Sequence, residues 1–111
     1  MKPLLIMVAG PYSAPTVDGR AANLRRMNEA AAELARRGHV PVIGVNAALP
    51  VLDTAGLPCT DPLMMTISLA LAARCDACLR IGRSPGADRE ADVIEGLGRP
   101  VYEQLEDVPA Q

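Results

Sequence analysis

Apolar and polar positions along the 111-residue chain follow two kinds of pattern. Short continuous apolar runs are typical of strands buried on both faces, and apolar residues that recur every three or four positions are typical of amphipathic helices. The first pattern predicts strands over 4–9, 39–45, 77–81 and 100–103. The second predicts helices over 20–37, 62–74 and 85–97. Residues 46–61 show little periodicity and are predicted to form a loop.

Strands that alternate with helices favour a single α/β domain over residues 1–111. We expect a three-layer, flavodoxin- or Rossmann-like parallel sheet of four or five strands with helices on both faces. Ligands of such open sheets bind beyond the carboxyl ends of the strands. Three predicted turns lie there, namely Gly10–Tyr12, Asn46 and Gly82–Gly86. We therefore expect these turns to converge on one crevice.

The segment that opens the last predicted helix contains the candidate chemistry. Ser84 is suited to cap the helix, Pro85 to be its first residue, and Gly86 allows a ligand to approach the backbone. At 100° per residue, Glu90 falls on the same stripe as Val93, Ile94 and Leu97. An apolar stripe normally faces the core, so a carboxylate there needs a reason. Glu90 is either a group that faces the crevice or a glutamate at the helix edge, paired with Arg20 or Arg83.

Composition narrows the classes of partner. The formal net charge is −2, which indicates no surface for polymeric nucleic acid. The apolar stretches over 4–9 and 62–73 are too short to cross a membrane, so we expect a cytoplasmic protein without a membrane partner. Because residues 62–73 are apolar nearly all round, we expect another copy of the chain to cover them, as in a homo-oligomer; burial by the preceding loop is the alternative.

Cysteine and histidine give little sign of redox or metal chemistry. The chain has three cysteines, Cys59, Cys75 and Cys78, and this odd number argues against a disulfide framework. Cys75 and Cys78 form a C-x-x-C pair that leads into a predicted strand, whereas redox pairs of this spacing precede a helix. We expect buried thiols, no metal and no cofactor. His39 follows a helix end away from the crevice and is predicted to be a capping or surface residue.

Four segments carry a resemblance to a known family. They are Ala9-Gly10-Pro11-Tyr12, Ala35-Arg36-Arg37-Gly38-His39, Ser84-Pro85-Gly86-x-x-x-Glu90 and Gly98-Arg99-Pro100-Val101. In this order and context they resemble the nucleoside 2-deoxyribosyltransferase-like superfamily over residues 4–102. Members of that family cleave or exchange the N-glycosidic bond of nucleosides or nucleotides.

The resemblance implies roles for three residues. Glu90 stands at the position of the family's nucleophile, which attacks the anomeric carbon. Ser84 and Gly86 match the Ser-x-Gly of the branch that hydrolyses nucleoside 5′-monophosphates and binds the phosphate there. A hydroxyl and backbone N–H groups at a helix start suit a phosphate. One position departs from the pattern, since Ser68 stands where many relatives carry an acidic residue.

Residues of the other turns are weaker candidates for substrate binding. Gly10, Pro11 and Tyr12 lie after the first strand, and the tyrosine hydroxyl could position the sugar or Glu90, or the ring could only fill the turn. Arg20 could neutralise a phosphate or be a surface arginine. Asn46 could donate a hydrogen bond to a base or ribose.

We therefore expect hydrolysis of the N-glycosidic bond of a nucleoside 5′-monophosphate, or transfer of its deoxyribosyl group, with a glutamate nucleophile. The small-molecule partner would be a nucleotide or nucleoside. The alternatives are a non-catalytic nucleotide-binding or regulatory module on the same fold, and a structural oligomer without a ligand. The sequence leaves open the base and the choice between ribose and 2-deoxyribose.

Overall fold

The computed structural model describes residues 2–110. Over these residues the elements are β1 (Leu5–Ala9), α1 (Val17–Arg36), β2 (Val40–Val42), α2 (Gly44–Ala55), α3 (Leu63–Ala72), β3 (Ala77–Arg80), α4 (Pro85–Gly96), β4 (Val101–Tyr102) and a 3-10 turn at Leu105–Asp107. Within this part of the chain, no helix is both long and apolar enough to cross a membrane.

The four strands form one parallel sheet in the order β2-β1-β3-β4. Alternate residues of β1 point to opposite faces, and each face carries its own apolar cluster. Ile6 and Val8 pack with Met27 and Leu34 of α1. Met7 and Ala9 belong to the opposite cluster, whose other members come from α3, the turn after it, β3 and α4. This arrangement confirms the predicted three-layer α/β fold with helices on both faces.

The predicted loop over 46–61 is wrong for residues 46–55, because α2 occupies Gly44–Ala55. Strand β2 is correspondingly shorter than predicted and ends at Val42. Gly44, Ala48 and Leu52 are buried at four-residue spacing, and this stripe packs α2 along α3. Pro50 lies inside the helix, where proline normally weakens helical structure, so tertiary packing outweighs the local preference. Gly56 then ends the helix in the left-handed conformation.

Helices α2 and α4 cover much of the apolar surface of α3. Of residues 62–73, the exposed ones are Pro62, Thr66 and Ala70, and none is a large apolar residue. The cover predicted to come from another chain is thus supplied in large part by α2. A homo-oligomer through residues 62–73 stays a prediction.

The segment after β4 is part of the core, although its sequence is that of a polar tail. Val108 is 2% exposed and lies in the cluster that α1 covers. Arg37 donates from Nη1 to the Val108 carbonyl at 2.9 Å. His39 is buried, accepts a hydrogen bond at Nδ1 from the Leu4 N–H, and therefore donates from Nε2 to the Pro109 carbonyl. The predicted capping or surface role of His39 is wrong, because the ring joins both ends of the chain.

Candidate functional site

A cavity of about 420 Å³ lies beyond the carboxyl ends of β1 and β3, the two central strands. The order of the strands reverses between these two, which is where open α/β sheets bind ligands. The volume is within the range of small-molecule sites. Its lining comes from the turn after β1, the start of α4, and α2 with α3: Gly10, Pro11, Tyr12, Ser13, Val45, Cys59, Met64, Met65, Ser68, Ser84, Pro85, Gly86, Ala87 and Glu90.

Glu90 lies in the second turn of α4 and is 8% exposed. Burial raises the pKa of its carboxyl to about 7, because the charged form loses contact with water. Among residues 2–110, no group donates a hydrogen bond to this carboxylate and no cation pairs with it. The alternative of a helix-edge ion pair is wrong, since Arg20 donates to the Ala14 carbonyl and Arg83 lies 3.6 Å from Asp88.

Gly44, at the start of α2, is a site residue that the sequence did not indicate. A Cβ atom there would lie 2.1 Å from Ser68 Oγ and 2.9 Å from Glu90 Oε2. Only glycine therefore fits, and the reason is space rather than a left-handed backbone. Ser68 is 2% exposed and lines the same cavity. The start of α2 thus packs closely against Ser68 and Glu90, two residues that line the cavity.

The start of α4 has the predicted cap. Ser84 is the N-cap, Pro85 is the first helical residue, and Ser84 Oγ accepts a hydrogen bond from the Ala87 N–H at 3.0 Å. Proline has no N–H, so the Gly86 N–H is the remaining free donor among the first three helical residues. A Cβ at Gly86 would lie 3.0 Å from the end of Met65. No lysine, arginine or histidine is among the lining residues, so neutral donors would have to bind a phosphate here.

Arg80 fixes the first turn of α4 against the sheet. Its side chain is 9% exposed and donates to Asp88 at 3.0 Å and to both oxygens of Glu103. This hydrogen bonding lowers the pKa of the Glu103 carboxyl. Asp88, in the first turn of α4, is therefore held in an ion pair with Arg80. The network joins the ends of β3 and β4 to the helix that carries Ser84 and Glu90.

The structure separates two predicted candidates from the cavity. Asn46 is not at a strand end but in the first turn of α2, where it is exposed and donates to Asn28 Oδ1 at 2.8 Å. Arg20 lies in α1 and supports the turn after β1 through Ala14. Neither residue lines the cavity. The error at Asn46 has the same cause as the missed helix, namely that strand β2 ends at Val42.

The predicted turn after β1 is at the cavity, with Gly10, Pro11 and Tyr12 all in its lining. Tyr12 also packs against the core cluster under α1, so its ring fills space as well as facing the cavity. Asn23 holds this turn by donating to the Tyr12 carbonyl at 2.9 Å. Leu97, predicted on the buried stripe of α4, is instead 52% exposed, because the helix ends at Gly96.

Two of the three cysteines have the predicted environment. Burial raises the pKa of Cys75 to about 11 and that of Cys78 to about 12, so both thiols are unreactive. Cys59 is only half-buried and lines the cavity, contrary to expectation. In the part of the chain that the structure describes, no three His, Cys, Asp or Glu residues lie close enough to hold a metal ion.

The arrangement offers one buried carboxylate, three serine hydroxyls, a tyrosine hydroxyl and an otherwise mostly apolar wall. A carboxylate in such surroundings can act as a nucleophile or as a hydrogen-bond acceptor for a hydroxyl. No protein-family model matches the chain, and no curated protein matches it either.

Proposed function

We propose that the protein cleaves the N-glycosidic bond of a nucleoside 5′-monophosphate, with Glu90 as the nucleophile. The observation that carries the proposal is the unpartnered carboxylate of Glu90, 8% exposed, in a cavity at the strand switch point. A buried carboxylate without a partner costs free energy, and such groups cluster at functional sites. The resemblance to nucleoside 2-deoxyribosyltransferase-like proteins supports the choice of reaction.

The reaction proceeds in two displacements. One oxygen of Glu90 attacks the anomeric carbon, the carbon–nitrogen bond breaks, and the base leaves with that electron pair and takes a proton from water. Water then attacks the same carbon and loses a proton to solvent, the ester bond to Glu90 breaks with its electron pair on oxygen, and the carboxylate is restored. If a second base attacks in place of water, the same intermediate gives transfer of the pentosyl group.

The groups at the start of α4 are suited to bind the phosphate. Ser84 has a hydroxyl proton to donate, because its oxygen accepts from Ala87, and Gly86 offers a free N–H. The positive end of the helix dipole adds to their attraction for an anion. Val45, Met64 and Met65 supply an apolar surface for the sugar and base. A cytoplasmic location, where such nucleotides are metabolised, is part of this proposal.

A non-catalytic nucleotide-binding module is the second candidate. It is favoured by Ser68, which stands where many relatives carry an acidic residue that helps in acid–base or sugar contacts, and by Glu90 being the single carboxylate in the lining. Retaining glycosidases generally use two carboxylates. Binding without cleavage requires only the cavity and its donors.

Release of free base from a panel of ribo- and deoxyribonucleoside 5′-monophosphates separates the two candidates. The wild type and Glu95→Gln, a control at an exposed glutamate of the same helix, should release base, and Glu90→Gln should release at least 100-fold less (~10²). Release that is equal in Glu90→Gln would disprove the nucleophile. No release, together with a rise in melting temperature on adding nucleotide, would favour the binding module.

A further inference from the structure

Ser68 is a buried hydroxyl that the proposed displacement does not use. The residue is 2% exposed, and within residues 2–110 no hydrogen bond of its side chain to another protein group is seen. Thr66, on the same helix, instead donates its hydroxyl to the Pro62 carbonyl. Among the described residues no fully buried side-chain oxygen or nitrogen lacks a partner, so the Ser68 oxygen is reached from the cavity that it lines, where a ligand can supply a hydrogen bond.

The stereochemistry of the displacement fixes what Ser68 faces. A nucleophile must approach the anomeric carbon from the side opposite the leaving base. In a ribonucleotide the 2′-hydroxyl lies on that same side, one carbon away from the attacked atom. Groups that touch the Glu90 carboxylate thus lie beside the 2′ position. A Cβ added at Gly44 would lie 2.1 Å from Ser68 Oγ and 2.9 Å from Glu90 Oε2, so both side chains lie against the start of α2 and close to each other.

We propose that Ser68 is the specificity-determining residue for ribose, and that its hydroxyl donates to the 2′-hydroxyl oxygen while the 2′-hydroxyl donates to Glu90. This inference rests on the proposed function and names its substrate class, ribonucleoside 5′-monophosphates. No side chain caps α2, so the N–H groups of its first turn offer a further donor to the same oxygen. The 2′-hydroxyl reaches Ser68 and Glu90 from the cavity, which both side chains line.

The proposal predicts that the protein cleaves ribonucleotides faster, although deoxyribonucleotides are intrinsically more reactive. A 2′-hydroxyl withdraws electrons and slows loss of the base, so deoxyribonucleotides break more readily in solution. A site built to bind a hydroxyl discriminates strongly against the analogue that lacks it, because its own polar groups are left unpaired. Hydrogen bonds to this hydroxyl also strengthen in the transition state of glycoside cleavage.

The test uses the ribo, 2′-deoxy and arabino forms of uridine and adenosine 5′-monophosphates, with free base as the readout. The arabino form keeps the hydroxyl but places it on the side of the base. The wild type should cleave the ribo form fastest, and Ser68→Ala should reduce its kcat/KM ratio over the deoxy form by about 10- to 100-fold. Thr66→Ala, which removes an exposed hydroxyl of the same helix, should leave the ratio unchanged.

The result separates this inference from the function on which it rests. Glu90-dependent release with equal or faster cleavage of the deoxy or arabino form would overturn the role of Ser68 and leave the function intact. A ratio that Ser68→Ala does not change would do the same. No release of base from any of these nucleotides would overturn the proposed function and the inference together. Melting temperatures of the variants show that each is folded.

Discussion

Glu90 is kept in an environment that opposes its charge. No cation compensates it within the described residues, and its pKa lies at about 7 instead of 4.5. The ionised form that a nucleophile requires therefore becomes more populated as pH rises across the neutral range. The proposed reaction should accelerate as pH rises through 7, because the fraction of ionised Glu90 increases.

The raised pKa of Glu90 also predicts how the stability of the fold depends on pH. The folded state keeps its Glu90 proton up to a higher pH than the unfolded state does, so the group's contribution to the free energy of unfolding falls as pH rises from about 4.5 through 7. The glutamine side chain of Glu90→Gln carries no charge at any pH. We expect it to be more stable than the wild type at about pH 8, by on the order of 3 kcal/mol, and similar at about pH 4.

Urea denaturation at both pH values measures this difference. Glu95→Gln is the matched control and should show no such gain, since Glu95 is exposed on the same helix. A Glu90→Gln protein that is equally stable or less stable than the wild type at alkaline pH would contradict a buried, unpartnered carboxylate.

Gly44 and Gly96 are helical glycines with different surroundings, and alanine substitutions at the two positions should differ in effect. Gly44→Ala should lower the free energy of unfolding by about 1 to 3 kcal/mol and reduce activity, because the new methyl group meets Ser68 and Glu90. Gly96→Ala has open space around its Cβ and should be neutral or stabilise helix α4 by about 0.5 to 1 kcal/mol. Thermal unfolding measures both, and equal effects would contradict the close contact at Gly44.

At the start of α4 the site could be predicted from the sequence, because one element carries both the signal and the residues. Ser84, Pro85, Gly86 and Glu90 follow from capping preference and helical spacing within α4. Gly44 did not, because its role depends on how closely α2 crosses α3 and α4. That distance is a property of packing, and no local pattern encodes it.

At the scale of elements, α2 shows how turn-forming residues can conceal a helix. Pro50 and Gly56 made residues 46–61 resemble a loop, while the burial of Gly44, Ala48 and Leu52 at every fourth position was the stronger determinant. The consequence reaches the site, since Val45 in the first turn lines the cavity and Asn46 points elsewhere. The four strands and the other helices were predicted to within a few residues, because their periodicity is uninterrupted.

The end of the chain provides a prediction at this scale. Val108 packs under α1, and Arg37 and His39 donate to the carbonyls of residues 108 and 109. Val108→Ala should lower the free energy of unfolding by about 1 to 3 kcal/mol. Val17→Ala, at a valine that is 71% exposed, should change it by less than about 0.5 kcal/mol. Similar values for both in urea denaturation would show that residues after β4 are not part of the core.

At the scale of the whole molecule, the strand order places the cavity. Because β2 lies on one side of β1 and β3 on the other, the turns after β1 and β3 separate and leave a crevice between them. Convergence of the first and third predicted turns was therefore foreseeable from alternation of strands and helices. At the crevice, the first turn of α2 takes the place of the second predicted turn, the one at Asn46.

The predicted homo-oligomer also belongs to this scale. If residues 62–73 form the interface, an arginine at Ala70, which is exposed on α3, should dissociate the assembly because a charge would be buried. Arginine at Ala32, exposed on α1, is the control and should have no effect. Sedimentation velocity distinguishes the species. A monomeric wild type would contradict the prediction.

The central claim is that Glu90 forms a bond to the anomeric carbon of a ribonucleotide. Rapid acid quenching during turnover, followed by peptide mass spectrometry, detects that bond directly, because the glycosyl ester survives briefly at low pH. We predict a ribosyl-phosphate adduct on the peptide that contains Glu90, formed at a rate no slower than turnover and lost on further incubation. Release of base with no adduct at Glu90, or an adduct on another residue, would contradict the claim.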